Sequence, residues 1–102
     1  MMTQPTIGIV GLGTMGLGIA QVYAAAGFAV IATDAHAPAR SSAQDRMAAA
    51  LQARISAGKL TPEGRDSTLA NLRVSDSLAD LAPCALVIEA ISNAMGTAST
   101  IT

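Results

Sequence analysis

One stretch, Ile7-Gly8-Ile9-Val10-Gly11-Leu12-Gly13-Thr14-Met15-Gly16, limits what this chain can fold into more than any other. An apolar run gives way to glycines at fixed spacing. The chain then continues as Ala20-Gln21-Val22-Tyr23-Ala24-Ala25-Ala26, rich in helix formers, and stops at Gly27. The pattern predicts a strand, a tight turn and a helix. Gly11, Gly13 and Gly16 fit G-x-G-x-x-G in that context. Each has its own physical reason. Gly11 permits a sharp turn out of the strand. At Gly13 a side chain would keep a pyrophosphate away from the backbone. Gly16 lets the helix lie close on the sheet. The helix start presents unpaired N–H groups at the positive end of the macrodipole, where an anion is favoured.

A second apolar run, Phe28-Ala29-Val30-Ile31-Ala32-Thr33, ends at Asp34. This acid lies 18 residues after Gly16, close to the ~20 expected for a residue that holds an adenosine ribose. The competing reading is a glycine-rich turn followed by an unrelated surface Asp. It leaves the agreement of strand, glycines, helix, strand and acid unexplained.

The rest of the chain extends the same alternation. The first helix is predicted from about Met15 to Ala26, with Ile19, Val22, Tyr23 and Ala26 as the face turned to the sheet. A long helix follows from about Ala39 to Ala57, with Pro38 in its first turn, Met47, Leu51 and Ile55 at spacing four, and Gly58 as its stop. Thr61-Pro62-Glu63 marks another helix start, Thr61 being the N-cap; that helix ends near Asn71. Leu72-Arg73-Val74-Ser75 is a third strand. Asp76 or Ser77 caps a brief helical turn through Leu81, Pro83 breaks it, and Ala85-Leu86-Val87-Ile88-Glu89 is a buried fourth strand. The order β-α-β-α-α-β-β predicts an α/β fold: a parallel sheet with right-handed crossovers and helices on both faces. Ligands of such sheets sit outside the carboxyl ends of the strands, where Gly11 to Thr14, Asp34 and Glu89-Ala90-Ile91 converge. Asn93 to Thr102 shows no clear apolar period. It is expected to be a frayed tail that leaves the edge of the fourth strand unpaired.

Composition excludes several classes. Six basic and seven acidic residues give a net charge of −1 with no basic cluster, which argues against nucleic acid or an anionic membrane as partner. Apolar residues make up 51% of the chain and aromatic ones 2%, so the core must be built from aliphatic side chains and Ala. Cys84 is the only cysteine. It allows no internal disulfide, suits a reduced cytoplasmic setting, and beside Pro83 it is expected to be a small buried residue. No basic start precedes an unbroken apolar stretch, as a targeting segment would require, and no run approaches the ~20 residues of a membrane span. We expect no metal site.

Gly11-x-Gly13-x-Met15-Gly16-x-Gly18-Ile19-Ala20, Gly58-Lys59-Leu60-Thr61-Pro62-Glu63 and Val87-Ile88-Glu89-Ala90-Ile91, with their spacing, resemble the amino-terminal domain of 3-hydroxyacyl-CoA dehydrogenases over about residues 6 to 91. The first segment alone also suits the 3-hydroxyisobutyrate and 6-phosphogluconate dehydrogenases. The resemblance implies a Rossmann domain over residues 1–91, incomplete, followed by an atypical tail over 92–102. It implies NAD as cofactor and a 3-hydroxyacyl-CoA as substrate in fatty acid metabolism, with homodimeric full-length relatives. Gly11, Leu12, Gly13, Thr14, Met15 and Gly16 would hold the pyrophosphate, Asp34 the ribose, and Ala90 and Ile91 the nicotinamide side. An acid at Asp34, with no Arg before Arg40, favours NAD over NADP. Arg54 or Lys59 matches a basic residue that meets the CoA.

The sequence also departs from the family pattern. Asn93 and Ala98 stand where the family has a Glu and a Lys. No counterpart of the catalytic His is present: the only histidine, His36, lies beside Asp34. The residues therefore support the NAD-binding portion of such an enzyme, as a fragment, a truncated product or the product of a shifted reading frame, inactive alone and with no catalytic residue of its own. A non-catalytic nucleotide-binding module is the reading from another class.

Overall fold

The computed structural model describes residues 5–90 and 99–101. β1 (Ile7–Val10) is followed by α1 (Thr14–Ala25), β2 (Val30–Thr33), α2 (Ala37–Ser56), α3 (Pro62–Ala70), β3 (Leu72–Ser75), a short 3-10 helix (Leu78–Leu81), β4 (Leu86–Glu89) and β5 (Ser99–Ile101). The sheet order is β3-β2-β1-β4-β5. β1 lies in the middle and pairs in parallel with β2 and β4, so that Val10 stands level with Thr33 on one side and Glu89 on the other. β2 pairs in parallel with β3. The predicted parallel α/β sheet is thus present in its first four strands.

β5 corrects the expectation of an unpaired edge. Ser99–Ile101 runs antiparallel to β4, with Ile88 opposite Thr100. A three-residue strand with two β-branched members carries too little pattern to be read from sequence. Residues 92–98 and 102 of the expected tail lie outside the described residues.

The helices start and stop for local reasons. Thr61 caps α3 by accepting the Gly64 N–H at 3.0 Å, and Pro62 opens it. Ser77 caps the 3-10 helix. The residues past the ends of α1 and α2, Gly27 and Gly58, have φ of 98° and 75°. Only glycine adopts such angles without strain. α1, α2 and α3 pack on one another and on one face of the sheet, where Ile7, Ile9, Leu17, Ala20, Ala24, Met47 and Leu51 form the core. The intervening Gly8 points to the other face, where Leu81 of the 3-10 helix and Cys84 lie close.

The buried face of α1 differs from the expected one. Gly16, Leu17, Ala20 and Ala24 are buried, Ile19 and Tyr23 are half-buried, and Val22 is 69% exposed. The helix turns Leu17 and its small residues to the sheet, which brings backbone close to backbone, while Ile19 and Tyr23 pack at the margin of the core and Val22 stays outside. Tyr23 meets Phe28 edge to face at 5.6 Å, a geometry that favours ring quadrupoles. No helix among the described residues is long and apolar enough to cross a membrane.

Two glycines of α1 should respond to alanine with opposite signs. A Cβ on Gly16 would overlap the Gly11 carbonyl, whereas one on Gly18 meets open space. In urea unfolding, Gly18→Ala should add roughly 0.5–1 kcal/mol through helix propensity. Gly16→Ala should remove about 1–3 kcal/mol through overpacking. The opposite order would contradict the close approach of α1 to the turn.

Candidate functional site

The carboxyl ends of β1, β2 and β4 meet at one point. Past the strands, Gly11 N–H donates to Thr33 C=O at 2.8 Å and Ala90 N–H to Val10 C=O at 2.7 Å. These bonds continue the ladder by one residue and bring Gly11, Asp34 and Ala90 together. The cleft between them has a volume of about 450 Å³ and is lined in part by Gly11, Gly13, Asp34, His36, Ala39 and Ala90. A more open depression of about 550 Å³ lies beside it, against Arg40, Ser41, Arg73 and Asp80. The glycine turn does not line that second hollow.

The three glycines of the turn are needed for three different reasons. Gly11 has φ of 111°, the left-handed region that favours glycine. Gly16 faces the Gly11 carbonyl and Ala90, with no room for a Cβ. Gly13 has φ of −74° and nothing within 4 Å of where its Cβ would be. The fold itself therefore makes no demand for glycine at residue 13. Gly13 is also the N-cap of α1, with no side-chain cap bond and no acid in the first turn. The first N–H groups of the helix are left for an anion. Thr14 and Met15 are exposed there.

Asp34 closes the other side of the turn. Its Oδ2 accepts the Leu12 N–H at 2.7 Å and its Oδ1 the His36 N–H at 2.8 Å. Burial opposes ionisation of this carboxyl. The two backbone donors, helped by the charges of His36 and Arg40, outweigh it and hold the carboxyl below its ordinary value of 3.8. Arg40 donates Nη1 to the Asp34 carbonyl at 2.7 Å, so a guanidinium sits near the expected ribose site.

Leu12 plays a part that its motif position does not announce. Its side chain is fully buried, its N–H is held by Asp34, and its carbonyl accepts Arg46 Nη2 at 2.7 Å. Nothing in the sequence marked Arg46, which sits mid-helix between Asp45 and Met47.

The remaining expected residues fall into place differently. Ala90 lines the cleft; Ile91 lies outside the described residues. Arg54 and Lys59 do not reach the cleft. Both are exposed, Arg54 in the last turn of α2 and Lys59 just beyond Gly58. Arg54 borders a separate groove with Val22, Leu51 and Leu60. His36 is exposed at the Asp34 end of the cleft.

A carboxyl whose pKa is lowered by folding contributes stability when ionised in both states and loses that contribution as pH falls through its folded value. The window here opens near pH 3.8 and extends below it. Asp34→Asn should lower stability at pH 7, because an amide replaces one acceptor by a donor facing an N–H. It should also flatten the acid limb of stability against pH. An unchanged acid limb would show that the Asp34 bonds contribute nothing.

The family described as "3-hydroxyacyl-CoA dehydrogenase, NAD binding domain" matches residues 6–101. The 3-hydroxyadipyl-CoA dehydrogenase of Escherichia coli is 41% identical over 92 residues, covering 90% of this chain and 19% of that protein. A 3-hydroxybutyryl-CoA dehydrogenase of Mycobacterium tuberculosis is 39% identical over 85 residues, covering 83% of this chain and 30% of that protein. The solved structure of the (S)-3-hydroxybutyryl-CoA dehydrogenase of Ralstonia eutropha superposes with a TM-score of 0.82 at 39% identity, over 88% of this chain and 32% of that one. The chain thus spans a third or less of each of these relatives. With the family match running almost end to end, and a glycine turn and acid in the geometry above, this chain belongs to the NAD-binding-domain family of the 3-hydroxyacyl-CoA dehydrogenases.

Proposed function

We propose that the chain binds NAD along the carboxyl ends of β1, β2 and β4, as the cofactor-holding part of a 3-hydroxyacyl-CoA dehydrogenase. The observation that carries the reading is Gly13: a glycine that neither backbone angle nor packing requires, beside an uncapped helix start, in a cleft that ends at an ionised acid. The N–H groups of Gly13, Thr14 and Met15 donate to the pyrophosphate, and Gly11 and Gly16 keep that turn close to α1. Asp34 accepts the ribose hydroxyls through the lone pairs its backbone donors leave free. Ala90, with Ile91 after it, borders the nicotinamide side. Leu12 contributes by holding the turn, since its own N–H is already engaged.

Held by the turn of Gly13, Thr14 and Met15 and by Asp34, NAD would supply the hydride acceptor for an alcohol carbon, or in its reduced form the donor for the reverse reaction. The hydroxyl proton must then go to a base beside that carbon. His36 stands at the ribose end, too far along the cleft for that task. The acyl-CoA is the substrate class we infer from the family, with Arg54 or Lys59 as its basic contact. A cytoplasmic setting, a place in fatty acid metabolism and a homodimeric assembly of the full-length relatives belong to the same reading.

Calorimetry provides the test. Gly13→Val fills the space where the phosphates approach, and NAD affinity should fall by at least about tenfold; unchanged affinity would sink the assignment. The chain should also prefer NAD to NADP, because an ionised Asp34 repels a 2′-phosphate. Asp34→Ala should abolish that preference, and Arg40, already beside residue 34, should then favour the phosphate. Equal affinity of the unaltered chain for both cofactors would contradict the role of Asp34. Assayed alone with NAD and 3-hydroxybutyryl-CoA, the 102-residue chain should bind cofactor without turnover. Saturable NADH formation by the purified chain would show that a base lies elsewhere than argued.

A further inference from the structure

Arg46 lies outside every motif of the chain, yet its guanidinium reaches across to the glycine turn. Nη2 donates to Leu12 C=O at 2.7 Å and to Ala39 C=O at 3.0 Å, and Nε donates to Ser42 Oγ at 2.9 Å. The Ser42 and Ala39 bonds fix the guanidinium on α2, its own helix. The Leu12 bond ties that helix to the turn, 34 residues earlier in the chain.

Peptide planarity gives this contact its consequence. Leu12 C=O and Gly13 N–H belong to one planar trans peptide and point in opposite directions. An arginine that holds the carbonyl therefore also fixes the direction of the Gly13 N–H. On the other side of Leu12, Asp34 holds the N–H of the Gly11–Leu12 peptide, which turns the Gly11 carbonyl towards Gly16. The Leu12 side chain, fully buried, pins the residue between the two. Both peptides are locked, in a turn whose glycines would otherwise let them flip.

We propose that Arg46 is a positioning residue for the dinucleotide turn, one that sets the Gly13 N–H for the pyrophosphate by clamping the Leu12 carbonyl. The proposal rests on the NAD-binding reading above. A turn held in its binding geometry before the ligand arrives loses less entropy on binding than one that must be ordered. Arg46 touches no cofactor atom in this account and acts only through Leu12.

The test uses Arg46→Met, which keeps much of the stem and removes every donor, and Arg46→Lys, which keeps the charge and can serve one acceptor at a time. Two quantities are measured on the whole chain: NAD affinity by calorimetry, and amide hydrogen exchange residue by residue. Arg46→Met should bind NAD about tenfold more weakly, roughly the entropy of ordering one backbone residue on binding. Without the clamp the turn should open more often and break the Leu12–Asp34 bond as it does, so the Leu12 amide should exchange at least about tenfold faster, while the Ile9 amide in β1 keeps its protection. Arg46→Lys should fall between the two. Unchanged exchange at Leu12 would overturn the clamp. So would an equal loss of protection at Leu12 and Ile9, which signals general destabilisation. The exchange arm needs no ligand, so it decides the clamp even if the unaltered chain failed to bind NAD. That failure would overturn the functional reading instead. Weak exchange protection with full NAD affinity in Arg46→Met would show that the turn does not need positioning, and would overturn the proposal while leaving that reading intact.

Discussion

The bond from Leu12 N–H to the Asp34 carboxylate holds the site together. It joins the turn after β1 to the residue after β2, just beyond the point where the two strands stop pairing. Without it, the glycine turn would be a flexible link between a strand and a helix. With it, the start of α1, the acid and the end of β4 share one fixed frame. The ionised acid then serves two ends. It stabilises the turn from within, and its remaining lone pairs face the cleft. A carboxylate that accepts backbone N–H groups is stronger in this role than a neutral side chain, because its bonds are charge-assisted.

Close packing of small residues is the second condition. The chain has few aromatic residues, and its one described ring pair lies at the far end of α1. The core gains its density by another route. Gly16, Ala20 and Ala24 let α1 approach the sheet until Gly16 abuts the Gly11 carbonyl and the Ala90 side chain. The same approach aims the helix start at the cleft. Packing and site geometry are here one feature, so a methyl group at residue 16 should disturb both.

Much of this was legible in the sequence, and the reasons are local. Glycines at fixed spacing need a strand before them and a helix after them, and Asp34 follows at the distance that one βαβ unit sets. Thr61-Pro62 is a helix start whatever surrounds it. Other features depend on what packs against what. On α1, apolar periodicity weighs Ile19, Val22 and Tyr23 more than Gly16 and Ala20; Ile19 and Tyr23 do reach the core margin, but close approach to the sheet favours the small residues and leaves Val22 outside. β5 escaped because three residues carry no period and its direction depends on its partner. The clamp on Leu12 escaped because a hydrogen bond between residues 12 and 46 has no signature in either neighbourhood. Arg54 and Lys59 were brought forward by family resemblance, and they lie apart from the cleft that the turn and acid build.

Chemical-shift mapping of NAD on the isotopically labelled chain reports every amide at once and so locates the bound cofactor. Shifts should concentrate at Gly13, Thr14, Met15, Asp34 and Ala90, with the groove of Gln21, Leu51 and Leu60 unmoved. Shifts centred on that groove, with a silent glycine turn, would contradict it.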